Sequence, residues 1–225
     1  PSHTPEAATA ELLRAAELGH RGAVVGLLES DEPVFDESWE RFWATADDCG
    51  LPISFHLGKG MHSLAVRPGS WRFPATVAVS PLQLDEIITG LVFSGILQRY
   101  PNVHAVFGEA GLGWIPYLLD RLDHEHDKYR HLVTDVVLDE RPSTYFRRQI
   151  VLTYEEDEFG LEMIERIGAQ SVMWASDYPH GDSTWPHSRE SLAESQLARL
   201  PAEDQRLILW DNAARLYRIE PPAPT

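Results

Sequence analysis

Three ionisable side chains stand at the ends of short apolar runs: His56 closes ISFH, Glu109 follows VHAVFG, and Asp177 follows VMWAS. An imidazole and two carboxylates converging on one rim make a nitrogen and oxygen ligand set suited to zinc, iron or manganese. A lone histidine at such a position is more often a hydrogen-bonded core residue. Three separate units ending in ionisable groups are harder to explain by packing, because burying an unpaired charge is costly.

Strands are needed to carry these residues. Runs rich in β-branched residues occur at 23–28 (AVVGLL), 53–56 (ISFH), 103–108 (VHAVFG), 150–153 (IVLT) and 172–176 (VMWAS). Their continuous apolarity is the pattern of parallel strands covered on both faces. Amphipathic stretches at 6–18, 36–48, 84–98, 114–130, 159–167 and 188–200 alternate with them and predict helices. Gly19, Gly50 and Gly168 each follow a helical run, where a left-handed C-cap is expected. Alternation of this kind predicts an α/β architecture, either an open doubly wound sheet or part of a (β/α)8 barrel. A barrel typically needs about 250 residues and eight strands, so five fall short. Residues 1–220 read as one domain portion and 221–225 as a frayed tail. The Gly- and Pro-rich segment 57–82 is too long for a simple connection and reads as a lid or substrate loop.

Charge narrows the partners. With 35 Asp and Glu against 19 Lys and Arg, the formal charge is −16. Such a chain is repelled by nucleic acids and anionic membranes, and no local basic patch is visible. The lone Cys49 excludes an internal disulfide, and no run approaches the roughly 20 apolar residues of a membrane span. A soluble, cytoplasmic protein is expected, with a small molecule as substrate.

Weaker candidates surround the three tips. Lys59 lies in the loop after His56, where it is placed to hold a substrate carboxylate, although exposed loop lysines are commonplace. His180, in YPH after Asp177, faces the site or supports it from behind. Trp71, Trp114 and Trp185 are candidates to line an apolar pocket, weighed against ordinary packing. The cluster His124, Glu125, His126 and His131 reads as a solvated helix face. The acidic run 155–158 reads as a charged helix entry favourable to the dipole. GEAGLG (108–113) places a glutamate where a phosphate would need backbone donors, so a nucleotide loop is a weak reading.

Three segments carry a family resemblance: LPISFHLGKG, FSGILQRYPNVHAVFGEAGLGWIPYLLDRLDHEHDKYR, and VMWASDYPHGDSTWP with its trailing LILWDNAARLYRI. They resemble the amidohydrolase-related family of metal-dependent barrels that includes aminocarboxymuconate semialdehyde decarboxylase and the resorcylate-type decarboxylases. The resemblance implies a (β/α)8 barrel, with His56 as the strand-5 metal ligand. It also implies Asp177 as the strand-8 carboxylate that binds metal and takes the proton of an attacking water.

Two departures follow. The family opens with a strand ending in His-x-His or Glu-x-His, and nothing here matches it; His3 sits in a polar PSHTP stretch. On this reading the chain is the C-terminal part of a barrel, about the last five βα units. It is expected to associate with its missing N-terminal segment or chain, or with itself as a homo-oligomer. Second, Glu109 stands where many relatives carry a histidine. A carboxylate beside a cation acts sooner as base or ligand than as a proton donor to carbon.

The leading expectation is therefore a metal-dependent hydrolase, with zinc first and iron, manganese or a two-metal site open. The alternatives are a nonoxidative decarboxylase of a small unsaturated or aromatic acid, a di-iron oxygenase, and a non-catalytic partial barrel.

Overall fold

The computed structural model describes residues 3–26, 32–56, 69–181 and 183–220. Lys59 and the expected frayed tail lie outside the described residues. Five strands form one parallel sheet: β1 (Ala23–Gly26), β2 (Ile53–His56), β3 (Ala105–Phe107), β4 (Ile150–Tyr154) and β5 (Val172–Trp174). The sheet order is β1-β2-β3-β4-β5, following the chain. A doubly wound sheet reverses its order at a switch point, whereas this one always advances in the same direction, as barrel sheets do.

Twelve α-helices accompany the strands among the described residues. Before β2 run α1 (Pro5–Glu17) and α2 (Glu40–Cys49), and between β2 and β3 run α3 (Arg72–Val79), α4 (Asp85–Phe93) and α5 (Ile96–Arg99). Then come α6 (Ile115–Tyr129), α7 (Pro142–Gln149), α8 (Glu158–Glu162) and α9 (Ile164–Ile167). After β5 follow α10 (Ser188–Glu194), α11 (Ala202–Arg206) and α12 (Asn212–Tyr217). Thr4 caps α1 through its hydroxyl, so Thr4 and Pro5 form a helix entry.

Alternation along the strands separates two faces. Val25, Ile53, Phe55, Ala105, Phe107, Ile150, Leu152 and Val172 belong to the large core beneath the helices. An aromatic ladder runs through it, with Trp39 edge-on to Phe42, Phe42 edge-on to Trp43, and Phe55 stacked on Phe107, each at 5.3 Å between centroids. Such pairs add about 0.5–1.5 kcal/mol each beyond burial. On the other face Val106, Val151 and Met173 pack against Ala213, Leu216 and Tyr217 of α12. Edge strand β1 lacks that cover, and Val24 is 71 % exposed.

Several expectations change. Residues 57–82 are not loop throughout: α3 forms within them, because Pro74 falls in the first turn, where a missing N–H is tolerated. Arg72–Phe93 is a continuous helical run of 22 residues in which α3 and α4 are joined through Ser80–Leu84, and an 18-residue window of it has a mean hydropathy of 1.3. By length and composition it reaches what a membrane span needs, contrary to expectation. Of that window 28 % is buried, with Leu84, Ile88, Leu91 and Val92 among the buried residues. Gly19 and Gly50 take positive φ at 80° and 59° as expected. Gly168, at φ 102° and ψ 118°, leaves its helix by a different geometry.

Candidate functional site

The end of β2 and the turns after β3 and β5 bring four side chains together. His56 Nε2 lies 2.8 Å from Glu109 Oε1, and His180 Nδ1 lies 2.6 Å from Asp177 Oδ2 and 3.9 Å from Glu109 Oε1. One donor atom each from Glu109, Asp177 and His180 falls within 4.8 Å of the others. This mixed imidazole and carboxylate set is the donor chemistry that divalent zinc, manganese and iron accept. Asp177 is the most covered, its side chain 16 % exposed, followed by Glu109 at 25 %, while His56 and His180 are open at 51 % and 63 %.

Backbone geometry aims the two carboxylates. Glu109 and Asp177 take left-handed φ of 53° and 56°. Non-glycine residues pay roughly 1–3 kcal/mol in such regions, and such conformations cluster at functional sites. The surroundings hold both in place. Glu109 N–H donates to Thr153 Oγ1 at 3.0 Å, Ala110 N–H donates to the Thr153 carbonyl, and Gly108 N–H donates to the Phe55 carbonyl. After Asp177, His180 N–H donates to the Asp177 carbonyl, closing the turn that returns the imidazole to its carboxylate.

Sequence reading missed the main support of this rim, Asp157. It caps α8 by accepting Gly160 N–H at 2.7 Å on one oxygen, and Leu112 and Gly113 N–H at 2.6 and 2.9 Å on the other. One carboxylate thus ties the turn after β3 to the helix after β4. Gly160 permits the approach, since a Cβ there would stand 2.3 Å from Leu112 Cβ. The acidic run is therefore more than a charged entry: Glu158 accepts Gln196 N–H and Glu156 accepts the Ser191 hydroxyl. The N-cap position four residues past an apolar run was the available signal.

Beside the rim opens a cavity of about 870 Å³. Phe73, Pro74, Val77 and Ala78 of α3 form an apolar wall, facing Glu109, Asp177, His180, Glu155 and Glu156. Tyr154 also lines it; burial raises its phenol pKa, with nearby Glu158 and Asp157 adding to the effect. The tryptophans do not form this wall. Trp71 is exposed at the head of α3. Trp114 donates its indole N–H to the Ala110 carbonyl and packs on the core, and Trp185 meets Tyr178 edge-on. His126 departs from the solvated face expected of its cluster. It continues the stripe Ile115, Leu119, Leu122 of α6 and is buried, its Nδ1 without a hydrogen bond.

The chain matches the amidohydrolase family, Amidohydro_2, over residues 1–219. It is 26 % identical over 185 residues to 2-amino-3-carboxymuconate-6-semialdehyde decarboxylase of Dictyostelium discoideum, covering 80 % of this chain and 49 % of that protein. The chain thus spans about half the length of this curated relative. Its fold is similar to that of 5-carboxyvanillate decarboxylase from Sphingomonas paucimobilis, with TM-score 0.78 and 24 % identity over 96 % of this chain and 64 % of that one. It is also similar to a dihydroxybenzoic acid decarboxylase from Polaromonas sp. JS666 solved with manganese and 2-nitroresorcinol, with TM-score 0.74 and 20 % identity over 96 % and 67 % of the two chains. The match extends from the first residues of the chain through α12, and on it the protein is a member of the amidohydrolase family.

Proposed function

We propose that this chain forms the metal-binding side of a nonoxidative decarboxylase acting on a small aromatic or unsaturated acid. The observation that carries the reading is the meeting of His56, Glu109, Asp177 and His180 at the carboxyl ends of β2, β3 and β5, in a family several of whose similar members are named as decarboxylases. Manganese takes first place over zinc, because the Polaromonas structure holds it.

Glu109 and Asp177, with His56 at 2.8 Å from Glu109, would hold a divalent ion, which when bound would supply a Lewis acid that withdraws electron density from a substrate oxygen. The α3 wall covers the apolar face of the acid. As the carbon–carboxylate bond breaks, CO2 leaves and the electron pair stays on the substrate carbon, which then takes a proton. His180 carries that proton on Nε2, the ring nitrogen that Asp177 does not engage, while its Nδ1 is held by Asp177.

A one-directional sheet of five strands with uncovered Val24 on its edge fits an eight-stranded barrel closed by further strands, from this polypeptide or an associated one. Hydrolysis remains the second reading, favoured by Glu109. A carboxylate there is suited to take a proton from water rather than to give one to carbon. Manganese-loaded protein incubated with hydroxylated benzoic acids should release CO2, and Asp177→Asn should stop it. Ester or lactone cleavage without CO2 would replace this reading with hydrolysis.

A further inference from the structure

At the opposite end of the sheet lies a cavity of about 680 Å³, walled by the segments entering β2 to β5 and by α12. Arg147, Arg148, Arg215 and Arg218 line it together with Asp47 and Asp48, reversing the acid excess of the whole chain. Asp47 is engaged by Asn102, which donates its backbone N–H at 2.7 Å and its side-chain amide at 3.2 Å. Arg148 is neutralised outside by Glu140 at 2.7 Å.

The other three guanidiniums make no ion pair among the described residues. Each is oriented by one neutral acceptor instead: Arg147 by the Arg166 carbonyl at 2.8 Å, Arg215 by Asn212 Oδ1 at 3.0 Å, and Arg218 by the Gly50 carbonyl at 2.9 Å. A guanidinium carries five N–H donors, so most of the Arg215 and Arg218 forks is left for a ligand, whereas the Arg147 fork turns to Arg166, which lines a separate cavity. Half-buried His104 and the exposed Asn102 and Gln170 add polar groups to the wall.

We propose that this cavity binds a small multivalent oxyanion, a phosphate or a di- or tricarboxylate. Planar forks match either oxyanion in bidentate fashion. In a chain of charge −16, a concavity with more guanidiniums than carboxylates attracts an anion only at short range. The site is separate from the metal-binding rim and does not depend on the reaction assigned there.

The test is calorimetric titration of the full chain, at low ionic strength, with inorganic phosphate and separately with citrate. Saturable binding of either is expected, and the tighter one identifies the class. Arg215→Gln and Arg218→Gln should each weaken it about tenfold, the loss of one charge-assisted hydrogen bond. Arg121→Gln, which removes a guanidinium paired with Glu125 on α6, should bind as the parent does. Asp177→Asn, which disables anion capture by a cation at the rim, should also leave binding intact. The proposal is overturned if neither anion saturates the protein by about 10 mM. It is equally overturned if Arg121→Gln weakens binding as much as Arg215→Gln, or if binding disappears with Asp177→Asn.

Discussion

The two ends of the same five strands are built on opposite plans. At the carboxyl ends, Glu109 and Asp177 meet two imidazoles, and Glu155 and Glu156 line the adjoining cavity with its apolar wall. At the amino ends, arginines held by carbonyls and amides surround a polar concavity. The carboxyl end also carries backbone strain, with Glu109 and Asp177 at positive φ. The amino end carries structural fastening. Asn212 donates to the Ala169 and Val172 carbonyls at 2.8 Å each, and Gln149 donates to the Tyr100 and Val103 carbonyls. Chemistry at one end and stability at the other is the division that barrel sheets generally show. The arginine cavity adds a binding role to the stabilising end.

Substitutions should keep that division. The largest effect is expected from Asp177→Asn, which should lower decarboxylation about a thousandfold by weakening the ion's hold while leaving thermal stability nearly unchanged. Parental CO2 release from this variant would break the assignment of the rim. Asp157→Ala comes next, leaving three backbone N–H groups unsatisfied. It should cost about 2–4 kcal/mol in denaturant unfolding and also lower metal affinity by loosening the turn that carries Glu109. A stability loss with unchanged affinity would uncouple Asp157 from the rim.

Asn212→Ala sharpens the contrast from the other side. It removes two hydrogen bonds to buried carbonyls, of which Ala169 keeps the Val172 N–H, and should cost about 2 kcal/mol, with metal affinity unaffected. The smallest effect concerns His104, whose pKa burial lowers from 6.5, with Arg215 lowering it further and the Asn102 carbonyl opposing. The unfolded chain therefore takes up the proton first as pH falls. The stability that neutral His104 contributes is full above its ordinary pKa and is lost on acidification. His104→Gln should flatten the acid-side fall in Tm below about pH 6.5, read by thermal melts; an unchanged profile would contradict this.

How much was legible follows the same division. Strand tips are contiguous with strands, so apolar runs ending in His56, Glu109 and Asp177 exposed both the sheet and the rim; β2 matches its expected bounds at both ends. The helix α7 was not legible, because PSTYFRRQ offers little apolar periodicity even though Tyr145, Phe146 and Gln149 are buried. The arginine cavity was invisible for a different reason. Its cations come as two short pairs, Arg147 with Arg148 and Arg215 with Arg218, far apart in the chain, and neither pair alone marks a cavity. The 84–98 helix was legible as one element but breaks at Ser94, where Gly95 turns left-handed before α5.

The central claim is that the rim holds a divalent ion on His56, Glu109 and Asp177. Its most direct test is titration of Mn2+ into metal-free protein, followed by the loss of the free-ion paramagnetic resonance signal. About one ion per chain should be taken up by the parent and by Arg215→Gln, with uptake lost in His56→Ala and Asp177→Asn. Free Mn2+ persisting beside the parent protein, or equal uptake by all four proteins, would contradict the account.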